Sequence, residues 1–314
     1  MRLIDVIRGP SRPTEIQLRH RRRRAGALAV AAGLAFLLGA LAGGGDGDGG
    51  GPGARGRIPR VGWYGHLRAL AGGGRASLGF EQRAQEDAAV DRALRRTPFV
   101  RLAGAQHRLV ALTFDDGPGP YTGALLDELA RLHVPATFFV VGRQVPDFAS
   151  ALQREVDLGM TVGDHTADHR DLALLSARDQ RRQVVEDADA LRSYGAPWPR
   201  LFRPPYGSYD ATTHRVLGRQ RMLSVLWSVD SEDYTRPGAG AIVRNVVGAV
   251  RPGAIVLMHD GGGDRSQTLA AIPRIVARLR AAGYRLVSVP RLLLESPPPQ
   301  DQELPRGFNR AGAG

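Results

Sequence analysis

From Leu109 onward, apolar and polar positions recur in short blocks whose period switches between strand-like and helix-like. Leu109–Phe114 is a continuous apolar run of strand length, and Gly123–Leu132 places Leu125, Leu126 and Leu129 on one helical face. Ala136–Val141 predicts a strand, Pro146–Leu158 a helix and Met160–Gly163 a short strand. Ser176–Tyr194 predicts a long helix capped by Ser176, with Asp179 at the capping-box position three residues on. Further strands are predicted at Arg200–Phe202, Arg221–Val229, Ala254–Met258 and Arg285–Val289, and helices near Ala211–Arg219, Ala239–Val250 and Thr268–Ala282. Such alternation predicts an α/β fold with a parallel sheet, closed like a barrel at this length. In folds of this kind reactive side chains gather at the C-terminal ends of the strands.

Upstream the pattern differs. The run from Ala25 to Ala42 carries no charge and follows the cluster Arg19-His20-Arg21-Arg22-Arg23-Arg24. As a helix it would extend roughly 27 Å, enough for a bilayer core. Arginines on its N-terminal side place residues 1–24 in the cytoplasm and the rest of the chain outside. Two readings follow: a single-pass membrane anchor at 25–42, or a signal segment cleaved after Ala42, where Ala40-Leu41-Ala42 has the small-residue pattern. Both export the remainder. Residues 43–106 read as a Gly-rich tether to about Gly56, then a spacer with an amphipathic helix at Phe80–Arg96 that Pro98 stops. The patterned region, 107–295, is the expected catalytic domain. The tail 296–314 opens with Pro297-Pro298-Pro299 and reads as disordered.

Composition narrows the chemistry. Cysteine is absent, which excludes disulfides, thiolate metal sites and cysteine nucleophiles, and all 43 basic residues are arginine, which excludes P-loop and Schiff-base lysines. The net charge of +12 is unevenly spread. Residues 1–24 hold eight arginines against Asp5 and Glu15, whereas 107–295 hold 23 arginines against 21 acids. A nucleic-acid-binding domain would concentrate its charge on the folded part, so nucleic acid is not the expected partner.

Polar clusters follow the predicted strands. Asp115-Asp116 ends the first one before Gly117-Pro118, and adjacent carboxylates there repel one another unless a cation or an arginine neutralises them. His165 and His169 have the spacing that lets two imidazoles share a metal from one helical turn. Position 166 is Thr, so any base must come from elsewhere. Two histidines with one aspartate form a three-ligand set that leaves positions open for water and a carbonyl oxygen. Two nitrogens and one oxygen suit Zn2+, and also Co2+, Ni2+ or Fe2+. Arg203-Pro204-Pro205-Tyr206 is a stiff loop that fixes the Tyr206 N–H as an oxyanion donor. Asp230, Asp233 and Tyr234 end another strand, and Leu257-Met258-His259 a further one. The other histidines (His20, His66, His107, His133, His214) are assigned no role.

Taken in order, Thr113-Phe114-Asp115-Asp116, His165-Thr166-x-x-His169, Arg203-x-Pro205-Tyr206, Asp230-x-x-Asp233 and Leu257-x-His259 closely resemble the five motifs of the polysaccharide deacetylase (NodB-homology, carbohydrate esterase family 4) group. The resemblance covers about 107–290. It implies a distorted (β/α) barrel and metal-dependent hydrolysis of acetyl groups on an N-acetylated polysaccharide: peptidoglycan, a chitin-like polymer or poly-N-acetylglucosamine. It also implies roles: Asp115 as base, Asp116, His165 and His169 as metal ligands, Arg203 beside the base, His259 as acid oriented by Asp233, and Leu257 against the acetyl methyl. Tyr234 stands where the family usually has Trp, keeping an aromatic wall but adding a hydroxyl. Two alternatives stay open, a membrane-tethered carbohydrate-binding protein with a degenerate site and an acetyl-xylan-type esterase of the same family.

Overall fold

The computed structural model describes residues 75–300 and 302. The basic leader 1–24, the apolar run 25–42, the tether from 43 and the tail beyond 302 lie outside the described residues. Among the described residues no helix is long and apolar enough to cross a membrane.

Among the described residues, nine short strands form one sheet in which every pairing between strands is parallel. They are β1 (Phe99–Val100), β2 (Leu109–Gly117), β3 (Thr137–Val140), β4 (Thr161–Asp164), β5 (Leu201–Phe202), β6 (Leu223–Val225), β7 (Val229–Asp230), β8 (Ala254–His259) and β9 (Arg285–Leu286). The order is β1-β6-β5-β4-β3-β2-β8-β7, with β9 pairing the start of β2. The helices are α1 (Arg75–Leu94), α2 (Thr122–Arg131), α3 (Ala149–Asp157), α4 (Ala177–Ser193), α5 (Ala211–Gln220), α6 (Ala239–Ala249), α7 (Ser266–Ala281) and α8 (Val289–Glu295). β2 is buried along its whole length except at Asp116, as befits a central parallel strand covered on both faces. The sheet curls: Ala103 N donates to Gly253 O (2.8 Å), and Leu102 bridges Ala254 across the gap between the two ends. The result is a parallel-stranded half-barrel.

Several expectations need correction. The spacer helix starts earlier, at Arg75; the packing of the spacer beside the main domain is as its amphipathic pattern suggests, with Ala89, Val90 and Ala93 against Val100, Leu109 and Leu293. Asp91 pairs with Arg200 and Arg221, and β1 extends the sheet upstream of residue 107. The expected strand Arg221–Val229 is two strands, because Leu223–Val225 pairs with β5 and β1 whereas Val229–Asp230 crosses to β8. Arg221 is the left-handed C-cap of α5. The expected strand Arg285–Val289 stops at Leu286, and Ser288 caps α8 with Pro290 in its first turn. The described start of the tail is attached to the body. Ser296 is fully buried, its carbonyl accepts from Gly104 N, and Gln302 Oε1 accepts from Arg101 N and Leu102 N. The Ser176 cap is present, accepting from Asp179 N.

One core position breaks the apolar pattern. Glu155 on α3 is fully buried, and both its carboxyl oxygens lack a hydrogen-bond partner among the described residues. Burial, with a contribution from the charge of Asp260, pushes its carboxyl well above the usual range. Below the unfolded-state value both states are protonated. Above it only the unfolded state ionises, so stability drains as pH rises towards the raised folded value. Glu155→Gln should therefore raise the melting temperature more at about pH 8 than at about pH 4.5. An equal effect at both pH values would contradict this.

Candidate active site

The parallel arrangement brings five chain segments to one rim. β2 ends in Asp115 and Asp116, and the register sets Asp115 opposite His259 at the end of β8. The loop after β4 carries His165 and His169, and the loop after β5 carries Arg203 to Tyr206. Asp230 ends β7, and the 3-10 turn Asp233–Thr235 follows it. Asp115, Asp116, His165, His169, Tyr206, Tyr234, Leu257 and His259 all line one cavity of about 380 Å³. Arg203 and Asp233 stand behind the wall, both buried.

Asp115 is held from below. Arg203 Nη1 donates to Asp115 Oδ1 (2.7 Å) and to Thr113 Oγ1 (2.7 Å), while Arg203 Nε donates to Val225 O (3.0 Å). The guanidinium lies 4.2 Å over the Phe139 ring. Asp115 Oδ2 is thereby left facing the cavity, 3.8 Å from His165 Nε2.

Asp116, His165 and His169 form the group that could hold a metal ion, with ligand atoms within 4.8 Å of one another. His165 Nδ1 meets the Arg203 carbonyl at 2.6 Å, which makes Nδ1 the donor and turns the Nε2 lone pair towards Asp116. Asp116 Oδ1 lies 3.0 Å from His169 Nε2 and 3.5 Å from His165 Nε2. It is buried, yet no hydrogen bond satisfies it. Burial works against the charge of Asp116, but the two imidazoles hold its carboxyl well below the usual carboxylate range. Burial likewise opposes a proton on His165, but Asp115 and Asp116 outweigh it and raise the imidazole. An acid-histidine cluster of this composition, with an orphaned oxygen at its centre, fits a divalent cation. The two histidines do not share a helical turn as their spacing suggested. They lie in a loop, and left-handed Thr166 (φ 71°) and His169 (φ 58°) turn them together.

On the other side His259 is fixed twice by Asp233: its N–H donates to Oδ2 (2.9 Å) and Nδ1 meets Oδ1 (2.7 Å). Thr268 on α7 also donates to Asp233 Oδ2 (2.7 Å). Burial alone would lower His259, but the Asp233 hydrogen bond and charge, with Asp115 and Asp116 beyond, raise it. Tyr206 is left-handed (φ 59°), 70% exposed, and its ring meets that of His169 edge-on. Tyr234 packs edge-on against His259, and its hydroxyl lies 3.4 Å from Asp230 Oδ2.

Several residues that shape the site drew no role from the sequence. Trp227, Pro204 and Asp230 complete the cavity wall. Thr113 links Arg203 to the Val256 carbonyl. Behind His165, Asp187 accepts from its backbone N–H and Asp164 accepts from Thr166 N. Burial raises both carboxyls, Asp164 to about 7, and the charge of Asp164 adds to the rise at Asp187. Asp187 left a signal: it falls on the buried stripe of α4 with Gln183, Val184 and Leu191.

The sequence profile described as polysaccharide deacetylase matches residues 103–223. A chitooligosaccharide deacetylase of Sinorhizobium fredii is 40% identical over 194 residues, covering 58% of this chain and 90% of that protein. A peptidoglycan-N-acetylglucosamine deacetylase of Bacillus cereus is 36% identical over 192 residues, covering 59% and 88%. Among solved structures, the Bc1960 peptidoglycan N-acetylglucosamine deacetylase superposes with a TM-score of 0.61 at 30% identity, covering 63% of this chain and 94% of that one. The chain belongs to the polysaccharide deacetylase family, hydrolases of non-peptide carbon–nitrogen bonds.

Proposed function

We propose that the protein is a metal-dependent N-deacetylase of an amino-sugar polymer of the cell wall or surface matrix, acting outside the cytoplasm. The observation that carries this reading is the buried, unsatisfied Asp116 Oδ1 between two imidazole nitrogens, in the same cavity as Asp115 and His259. The activities named for the two curated relatives, on chitooligosaccharide and on peptidoglycan N-acetylglucosamine, support the substrate class.

Asp116, His165 and His169 would hold the metal, zinc first among the candidates with cobalt, nickel and iron(II) behind it. When bound it supplies Lewis acidity to the acetyl carbonyl and makes water easier to deprotonate. The residues around it divide the proton transfers. Asp115 offers Oδ2 to the attacking water, because Arg203 occupies Oδ1. His259 has its Nδ1 committed to Asp233, so Nε2 is the nitrogen that hands a proton to the departing amine. The Tyr206 N–H is the protein's own donor to the oxyanion, Leu257 lies against the acetyl methyl, and Tyr234 and Trp227 form the aromatic wall against the sugar.

The location outside the cytoplasm rests on the apolar run 25–42 behind its arginine cluster, read as a single-pass anchor or as a signal segment cleaved after Ala42. The near balance of charge over 107–295 suits a polymer recognised through hydroxyl and acetamido groups.

The substrate reading is tested by incubating the protein with peptidoglycan, N-acetylglucosamine oligomers and acetylated xylan, and quantifying free amines and acetate. The expected result is equal amounts of amine and acetate from the amino sugars. Acetate from xylan alone moves the protein to the ester-cleaving branch, and tight glycan binding with no acetate supports the degenerate binding protein.

The acid is tested separately. His259→Ala should lower turnover of the amide by about 10²–10⁴ and spare an activated acetyl ester, whose leaving group needs no proton. Because Asp233 raises His259, the protonated acid persists to higher pH. Asp233→Asn should move the alkaline limb of the kcat/KM profile to lower pH. An unmoved limb, or equal losses on amide and ester, removes His259 from this role.

A further inference from the structure

Asp116 reaches the two histidines only because the backbone of β2 is distorted at that residue. Its φ is 71°, in the left-handed region, and the pairing of β2 with β3 skips a residue between Asp115 and Gly117. A bulge of this kind re-aims one side chain and persists only where its surroundings impose it. Here the imposing surface is the turn after β8. Asp260 N and Gly261 N both donate to Asp115 O, at 3.1 and 3.3 Å. Gly117 presents its bare face to the Asp260 carboxylate, where a Cβ would lie 2.1 Å from Oδ2. Gly261 presents its own to the Asp116 carbonyl, where a Cβ would lie 2.0 Å from the oxygen. The two turns interlock at Gly117 and Gly261, where any side chain would collide with the facing turn.

A third segment ties this contact to α2. The Thr122 hydroxyl donates to Asp260 Oδ2 and accepts from Gly119 N (2.7 Å). Thr122 and Asp260 are both buried, and neither is among the cavity-lining residues. The run Gly119 N–H, Thr122 hydroxyl, Asp260 carboxylate therefore links the segment beyond the bulge, the first residue of α2 and the turn after β8.

We infer that Thr122 and Asp260 are positioning residues for the metal ligand Asp116, acting through the bulge and not through the cavity. This rests on the reading of Asp116, His165 and His169 as the ligand set. Without the Thr122 hydroxyl, Asp260 loses its donor, the turn after β8 is no longer tied to Gly119, and Asp116 is free to leave the left-handed conformation.

The test measures zinc affinity of the metal-free full chain by competition with a chromophoric chelator, together with its melting temperature. Thr122→Val keeps the shape and deletes the hydroxyl, and should weaken zinc binding by about 10-fold, the low end of the loss seen when a group bonded directly to a metal ligand is removed, because Thr122 acts on Asp116 through Asp260 and the backbone. Thr122→Ala, which avoids placing a methyl against the carboxylate, should lose the same factor, and Thr122→Ser should retain wild-type affinity. A merely structural role would lower the melting temperature of Val and Ala variants while leaving the zinc affinity of the folded protein intact. That outcome overturns the inference and leaves the ligand set standing. Failure of the wild-type chain to bind zinc, cobalt, nickel or iron(II) would instead overturn the ligand set, and the positioning role with it.

Discussion

A guanidinium with no exposure sits at the centre of this structure, and most of the site follows from what it needs. A buried cation is tolerated only when it is paired and its donors are satisfied. Arg203 meets that requirement by reaching from the end of β5 to the Val225 carbonyl on β6 and to Thr113 and Asp115 on β2. Its planar face rests on Phe139 of β3. One side chain thus binds four strands and orients the carboxylate read here as the base. The Arg203 carbonyl, meanwhile, sets the tautomer of His165. Loss of the guanidinium would leave Asp115 Oδ1 buried without its charged donor, a strongly destabilising change.

The remaining parts of the site are arranged around that anchor by backbone conformations that side chains rarely adopt. Asp116, Thr166, His169 and Tyr206 all have positive φ. Each such residue costs on the order of 1–3 kcal/mol and has to be held by its surroundings. The holding groups are identifiable. The turn after β8 grips Asp115 and Asp116, the Asp164–Asp187 pair grips the loop of the two histidines, and Pro204 and Pro205 stiffen the approach to Tyr206. Four of the eight non-glycine residues with positive φ among the described residues thus lie where the proposed ligands and oxyanion donor converge.

Much of this was legible in the sequence. Apolar blocks marked β2, β3 and β8, and polar clusters after β2, β4, β5 and β8 marked the rim, because a parallel strand buried on both faces cannot end without exposing something. What stayed hidden has physical reasons. Phe99–Val100 is too short for any period, so the strand that extends the sheet upstream of residue 107 left no signal. Leu223–Asp230 reads as one apolar run, because a strand that changes neighbours at Leu226 keeps its hydrophobicity. The H-x3-H spacing suggested a helix where the structure has a loop, since spacing reports proximity and not backbone conformation. Thr122 and Asp260 are 138 residues apart, and nothing local in either announces a partner.

We propose that Asp116, His165 and His169 are the whole protein share of a catalytic metal site. It is tested most directly by metal content and acetate release of His165→Ala beside the wild type. With three ligands there is no redundancy, so both quantities should fall together, and added zinc should restore neither to the wild-type level. A variant that retains one metal per chain and wild-type acetate release would contradict the account.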